Sequence, residues 1–479
     1  MPRRRWLPIL VLLLAGLAAV VAIRRPDRML GQGLRVGAAV VAQTLCSEVF
    51  VAGLDPARVE AEELAPQAGL LRRLRVDVDR RHRQVTASWG GHFASVAGVS
   101  GMRPDLGCGL ASAPAAGAGA ALSAMAEAEV PPERPIVAPV TEGLRLALDR
   151  AFAEPHPRRP RHVRAIVIYR DGRLVAERYA AGIGPETRLL GYSLSKSVIN
   201  AMIGVLVRAG RLQVAERAPI PAWASPRDPR HAITVEQLMR MTSGLALEES
   251  DSGFDPVSRM LFLEPDMAAF ASRAPLKAAP GTAWEYTSGN TLLLSSIIRD
   301  AVGGHAADVL AWARRELFTP LGMHHVTIEF DAAGTPIGST RVLASARDWA
   351  RLGQLYLDDG ECAGRRILPP GWVRFSTTPT LASDYGAGFW VNAGAAPHAR
   401  GRVRAGMPAD SFFGSGLFGQ RLVVIPSQRL VIARLGATVD PPDFDIAGLE
   451  RLVTDVIGAT GGRAGMADPG AGGCPLRSL

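Results

Sequence analysis

Ser193 and Lys196 stand three residues apart in "GYSLSKSVIN", Gly191 to Asn200. If this segment opens a helix, residues three apart share a face, and the two side chains sit side by side. A serine hydroxyl is a poor nucleophile until a neighbour takes its proton. Lysine can be that base once burial or a nearby cation brings its pKa down from about 10.4. Arginine cannot, because its guanidinium stays protonated in a protein. The chain has 54 Lys plus Arg, yet Lys196 and Lys277 are its only lysines. Where only a charge is needed this chain uses arginine; where a proton must leave, lysine is kept. The helix N-terminus adds a partial positive field that favours a serine alkoxide and a developing oxyanion. A lysine placed there merely as a cap would oppose that dipole.

Serine–lysine chemistry needs a third group to pass the proton to the leaving group. Tyr286 in "GTAWEYTSGNTLLL" is the candidate: one of six tyrosines, between polar neighbours just before a helix. A packed core tyrosine is the competing reading. A Ser-His-Asp hydrolase would carry G-x-S-x-G. Gly191-Tyr192-Ser193-Leu194-Ser195 lacks the last glycine, and Phe413 breaks the match around Ser415. The nine histidines show no H-E-x-x-H or similar spacing, so no metal or other cofactor is expected. His324-His325 reads as a turn after Pro320-Leu321-Gly322, Glu285 and Asp348 as local hydrogen-bonding and capping groups, and Asp410 as a loop aspartate.

The elements that must position these residues are legible. "VRAIVIYR" and "RLVAERYA" flank Asp171-Gly172, a strong hairpin signal, and "GQRLVVIP-SQ-RLVIARLG" reads as a second hairpin. Val198, Met202, Val205 and Leu206 form one stripe of a helix that Gly210 stops. Thr234-x-x-Gln237 is a capping box, and Ser345-x-x-Asp348 starts "RDWARLGQLYL". "IAGLERLVTDVIGA" closes the domain. Strands at both ends and helices between them predict an α+β fold, with the end strands in one antiparallel sheet and helices packed on it.

At this level the chain resembles the serine β-lactamase and penicillin-binding-protein superfamily, nearest to the branch of esterases and 6-aminohexanoate-dimer hydrolases related to class C β-lactamases. The resemblance spans roughly 140–460. It rests on the hairpin before "YSLSKS", on "LMRMTSGL", "GTAWEYTSGNTLLL", "SARDWARLGQLYLDDG", "YGAGFWV" and "FFGSGLFGQRLVVIP". It implies an all-helical subdomain beside the sheet and an acyl-enzyme mechanism, with Ser193 as nucleophile, Lys196 as base and Tyr286 as proton-transfer partner. Gly414-Ser415-Gly416 would stand where the family has its K-T-G strand. The oxyanion hole would be the backbone N–H of Ser193 and that of Leu417. Two departures matter. The family's Y-x-N box would put Asn at 288, where this chain has Ser288, with Asn290 two residues on. The K-T-G position has no cation to hold a substrate carboxylate. That argues for a small ester or amide substrate rather than a β-lactam or D-Ala-D-Ala peptide. The competing readings are a DD-peptidase or β-lactamase, and a catalytically silent relative that binds the cell wall.

The 479 residues divide, on this reading, into an N-terminal segment (1–33), a small domain of unassigned role (34–110), an Ala/Gly/Pro linker (111–135), the hydrolase-like domain (136–460) and a disordered tail (461–479). Arg3 to Arg5 precede an uncharged apolar run from Leu7 to Ile23, closed by Arg24 and Arg25. That run predicts an inner-membrane anchor, or a cleaved signal peptide, and export of the rest of the chain to the periplasm. The four cysteines are even in number, and Cys46 with Cys108, both in the N-terminal region, form the expected disulfide; Cys362 with Cys474 is a weaker second pair. The net charge of +9 would admit nucleic acid as a partner, but the arginines are scattered and no recognition motif or basic stripe accompanies them.

Overall fold

The structure, a computed structural model, describes residues 26–65, 71–90, 97–110, 140–156, 159–439 and 444–461. The apolar run 7–23, the linker 111–135, the tail beyond 461 and Cys474 lie outside the described residues.

The two hairpins form and share one sheet. β5 (Val163–Arg170) and β6 (Arg173–Tyr179) turn at Asp171 (φ 49°) and Gly172 (φ 73°), the two positive φ values that a tight hairpin turn demands. Far along the chain come β10 (Trp390–Val391), β11 (Phe412–Gly416), β12 (Gln420–Ile425) and β13 (Leu430–Gly436). The sheet runs β10-β11-β12-β13-β5-β6, antiparallel throughout. β13 and its neighbour β5 are interior strands, and both are apolar on both faces. Ala165, Val167, Tyr169, Val431 and Ala433 face one buried cluster; Ile166, Ile168, Leu430 and Ile432 face the other. This is the two-residue alternation of a strand covered on both sides.

The second face is covered by α2 (Glu142–Phe152) and α6 (Ile446–Ala459), through Leu144, Leu148, Leu449, Leu452 and Val456. The first face carries α3 (Ser195–Arg208) and α5 (Ala346–Leu357), with α4 (Ser288–Val302) packed on α3. The capping box at Thr234 and Gln237 and the Ser345 cap on Asp348 N–H are both made. A smaller sheet of β7 (Leu189–Leu190), β9 (Val342–Ala344) and β8 (Val326–Ile328), in that order, leads into the turn that carries Ser193.

The N-terminal region is helix α1 (Pro26–Cys46) laid on a four-stranded meander, β1 (Arg75–Asp79), β2 (Gln84–Ser88), β3 (Ala97–Arg103) and β4 (Gly107–Leu110). A Cβ on Gly98 would come within 2.5 Å of the Ala38 backbone, so glycine permits the close helix–sheet contact. A disulfide joins Cys46, at the end of α1, to Cys108 on β4. The boundary expected at 33/34 falls inside α1. The apolar residues of α1 (Leu34, Ala38, Val41, Ala42, Leu45) belong to the same buried cluster as α3 and α5. The stretch Gly31–Val51 is long and apolar enough to cross a membrane, but 72% of it is buried against the rest of the protein, as in a core helix.

Candidate active site

β7 pairs with β9, and Gly191 N–H continues that ladder onto Val342 O (2.9 Å). The chain then makes one 3₁₀ turn, Tyr192–Leu194, and enters α3 at Ser195. Ser193 therefore sits on the turn just before the helix. Ser195 Oγ ties the helix start to β9 by accepting from Val342 N–H (3.0 Å). Tyr192 carries a φ of 48°, a left-handed backbone that favours glycine.

Lys196, the second residue of the helix, is 4% exposed. Its Nζ donates to Ser193 Oγ (2.9 Å), Ser288 Oγ (3.2 Å) and Ser339 O (3.1 Å). Burial pulls its pKa down to about 8, against the opposing pull of the Glu249 and Asp251 carboxylates. Lys277, the other lysine, is 43% exposed and ion-paired with Glu285. Of the two lysines, only Lys196 is buried and beside Ser193.

Tyr286 neighbours the Ser193 side chain, and its ring lies under Lys196 Nζ, 4.7 Å from the centroid. Burial, reinforced by the Glu249 charge, pushes the phenol well above its ordinary pKa, so it is protonated at any working pH. Its ring stacks on Trp390 (5.7 Å) and meets Tyr385 edge-on (5.7 Å), with Trp284 against Trp390. The fragments around Tyr286 and in "YGAGFWV" thus build one aromatic wall.

Ser288 occupies the position where the Y-x-N pattern has asparagine, and it reaches Lys196 directly. Asn290 instead accepts from Ser243 Oγ (2.7 Å), away from the lysine. Sequence reasoning missed Glu249: its carboxylate accepts from Ser288 N–H and from Ser288 Oγ (2.9 Å). Nothing in "LALEESDSGF" distinguishes Glu249 from its neighbours, since it comes from a loop separated by 39 residues from its partner. Ser339 O was equally invisible, being backbone.

β11 lies against the Ser193 turn with no room for side chains at its two glycines. A Cβ on Gly414 would be 2.3 Å from Leu194 Cδ1, and one on Gly416 would be 2.2 Å from Gly191 O and 3.1 Å from Leu194 N. Ser415 pairs with Arg421 across the ladder, on the face that Phe413 and Val423 turn towards α2 and α6. The Arg421 guanidinium is spent there on Gly416 O (3.0 Å) and Gln420 O (2.9 Å). Leu417 begins the 3₁₀ turn Leu417–Gly419 directly after the strand. Two carboxylates have local work instead: Asp410 holds Ser427 at the turn after β12, and Asp348 accepts from His325 N–H (2.7 Å).

Comparison with known proteins agrees with this architecture. A 6-aminohexanoate-dimer hydrolase of Paenarthrobacter ureafaciens is 26% identical over 309 residues, covering 60% of this chain and 75% of that protein. Among solved structures, a family VIII carboxylesterase superposes with a TM-score of 0.53 at 16% identity, over 68% of this chain and 99% of the other. A penicillin-binding-protein homologue from Caulobacter crescentus gives 0.52 at 20% identity, over 66% and 96%. The α+β fold is therefore the β-lactamase/transpeptidase-like one, preceded by an N-terminal segment. The beta-lactamase family model matches residues 148–454, well over half the sequence, and the chain belongs to that family.

Proposed function

We propose that the protein is a serine hydrolase that cleaves a small ester or amide through an acyl-enzyme on Ser193. The observation that carries this reading is the 2.9 Å contact between Ser193 Oγ and a buried Lys196 whose pKa lies at about 8. In its neutral form Lys196 accepts the Ser193 proton as Oγ attacks the carbonyl carbon. Tyr286, beside Ser193 and set against Lys196, delivers a proton to the leaving oxygen or nitrogen and takes in return the proton that Lys196 received from Ser193, so that both groups are restored. Water then attacks the acyl carbon and gives a proton to Lys196, the acyl–Oγ bond breaks, and that proton returns to Ser193 Oγ as the acid leaves. Ser193 N–H and Leu417 N–H would hold the oxyanion; the tight packing of β11 on the Ser193 turn supports that assignment.

Substrate charge is set by the groups around the lysine. β11 offers no cation to the cleft, and Glu249 and Asp251 add negative charge near Lys196. Both disfavour a substrate carboxylate and favour a neutral ester or amide, whose apolar portion can lie on the aromatic wall of Trp390 and Trp284. The Cys46–Cys108 disulfide supports an oxidising compartment, in line with an envelope protein attached to the membrane through its N-terminal segment.

The test is labelling of the full chain with a fluorophosphonate, beside Ser193→Ala. Modification of the wild type at Ser193 and none of the variant is expected; a folded wild type that stays unlabelled overturns the reading. Turnover of p-nitrophenyl esters, a chromogenic cephalosporin and the 6-aminohexanoate dimer then sorts the substrate class.

A further inference from the structure

The segment before residue 140 lies outside the family match, yet it touches the nucleophile turn. Tyr192 donates its phenolic proton to Glu63 Oε2 (2.7 Å), and Glu63 belongs to the N-terminal region. Glu63 is 1% exposed and is itself held: its Oε1 pairs with Arg164 of β5 at 2.6 Å. Arg164 also meets Glu62 (3.1 Å) and Glu48 (3.4 Å), so one buried guanidinium gathers three carboxylates of the N-terminal region. A second tie is close by: Glu329 Oε1 accepts from Ser47 Oγ (2.7 Å) and from Cys108 N–H (2.9 Å).

These ties hold the backbone that carries the chemistry. Tyr192 has a left-handed φ of 48° directly before Ser193, and such a conformation in a bulky residue persists only when its surroundings over-determine it. The Tyr192 ring also meets Phe418 edge-on at 5.2 Å. Phe418 (φ 60°) comes directly after Leu417, the second proposed oxyanion donor. One side chain thus braces both halves of the oxyanion hole, and its polar end is fixed by a carboxylate from outside the family domain.

Building on the Ser193 reading, we propose that Glu63 is a positioning residue for catalysis: through Tyr192 it holds the Ser193 turn and the Leu417–Phe418 turn in register. The N-terminal region is then a working part of the active site rather than a separate domain.

The test compares full-length wild type, Tyr192→Phe, Glu63→Gln and the double variant. Active sites are titrated with a fluorophosphonate, so that kcat is counted per competent serine. Tyr192→Phe keeps the ring on Phe418 and removes only the hydroxyl. Each single variant is expected to lower kcat and the acylation rate about tenfold with KM unchanged, and the double variant to be no slower than the worse single, because both break one link. A purely structural role would lower the melting temperature and leave kcat per titrated site alone. Wild-type kcat in Tyr192→Phe, or losses that multiply in the double variant, overturns the proposal. An unlabelled wild type removes the Ser193 reading and this proposal with it; a labelled wild type with an equally fast Tyr192→Phe removes this proposal alone.

Discussion

Ser288 Oγ lies 3.2 Å from Lys196 Nζ, at the sequence position where the Y-x-N pattern has asparagine. A hydroxyl there can accept from the lysine and donate to Glu249 at once, which links the base to a carboxylate. Ser288→Ala leaves the Glu249 carboxylate facing Lys196 without its bridge. We expect kcat to fall about tenfold, the scale of one lost hydrogen bond to a charged group. Steady-state kinetics with a p-nitrophenyl ester measure this, and an unchanged kcat would remove Ser288 from the proton path.

The pH profile is set by the environment of Lys196. Burial lowers its pKa to about 8, and Glu249 works in the opposite direction. The base is active when neutral, so kcat/KM should rise with pH through about 8 and level off above it. Glu249→Gln removes a charge that favours the ammonium, so the Lys196 pKa drops further and the rise moves to lower pH. A profile that stays in place, or moves to higher pH, contradicts the assignment.

Gly416→Ala tests the packing of β11. A Cβ 2.2 Å from Gly191 O must push the strand off the nucleophile turn. Loss of an oxyanion donor costs on the order of 10²–10³ in kcat, and we expect a loss approaching that range with substrate binding less affected. Stopped-flow acylation separates the two effects.

The Cys46–Cys108 disulfide closes a loop over a sequence separation of 62 residues. Replacing both cysteines with serine should cost about 2–4 kcal/mol of stability, chiefly by freeing the unfolded chain. Denaturant titration reads this directly. Because α1 shares the core of the family-matched region, the loss should appear in the main unfolding transition, not in a separate early one.

Much of this was legible in the sequence, for physical reasons that differ by residue. Asp171-Gly172 announces its hairpin because few residue pairs tolerate two positive φ values. Ser193 and Lys196 announce themselves because their spacing is local and lysine is rare in this chain. Glu249 and Ser339 could not be seen, since one is an ordinary loop carboxylate and the other a carbonyl, and both reach Lys196 only through tertiary packing. The shared core of α1 and α3 was hidden for a related reason. An apolar helix shows how much surface it must bury but not against what, so residues 34–110 read as a unit of their own. Glu63 and Tyr192 are far apart in sequence, and neither sits in a pattern that points to the other.

The central claim is that Lys196 takes the proton from Ser193, and Lys196→Arg tests it most directly. The substitution keeps the charge and removes the ability to be neutral. With the fold verified by circular dichroism, the rate of Ser193 acylation by a p-nitrophenyl ester should fall by roughly 10²–10⁴, the usual contribution of a general base. Acylation of Lys196→Arg at the wild-type rate would contradict the account.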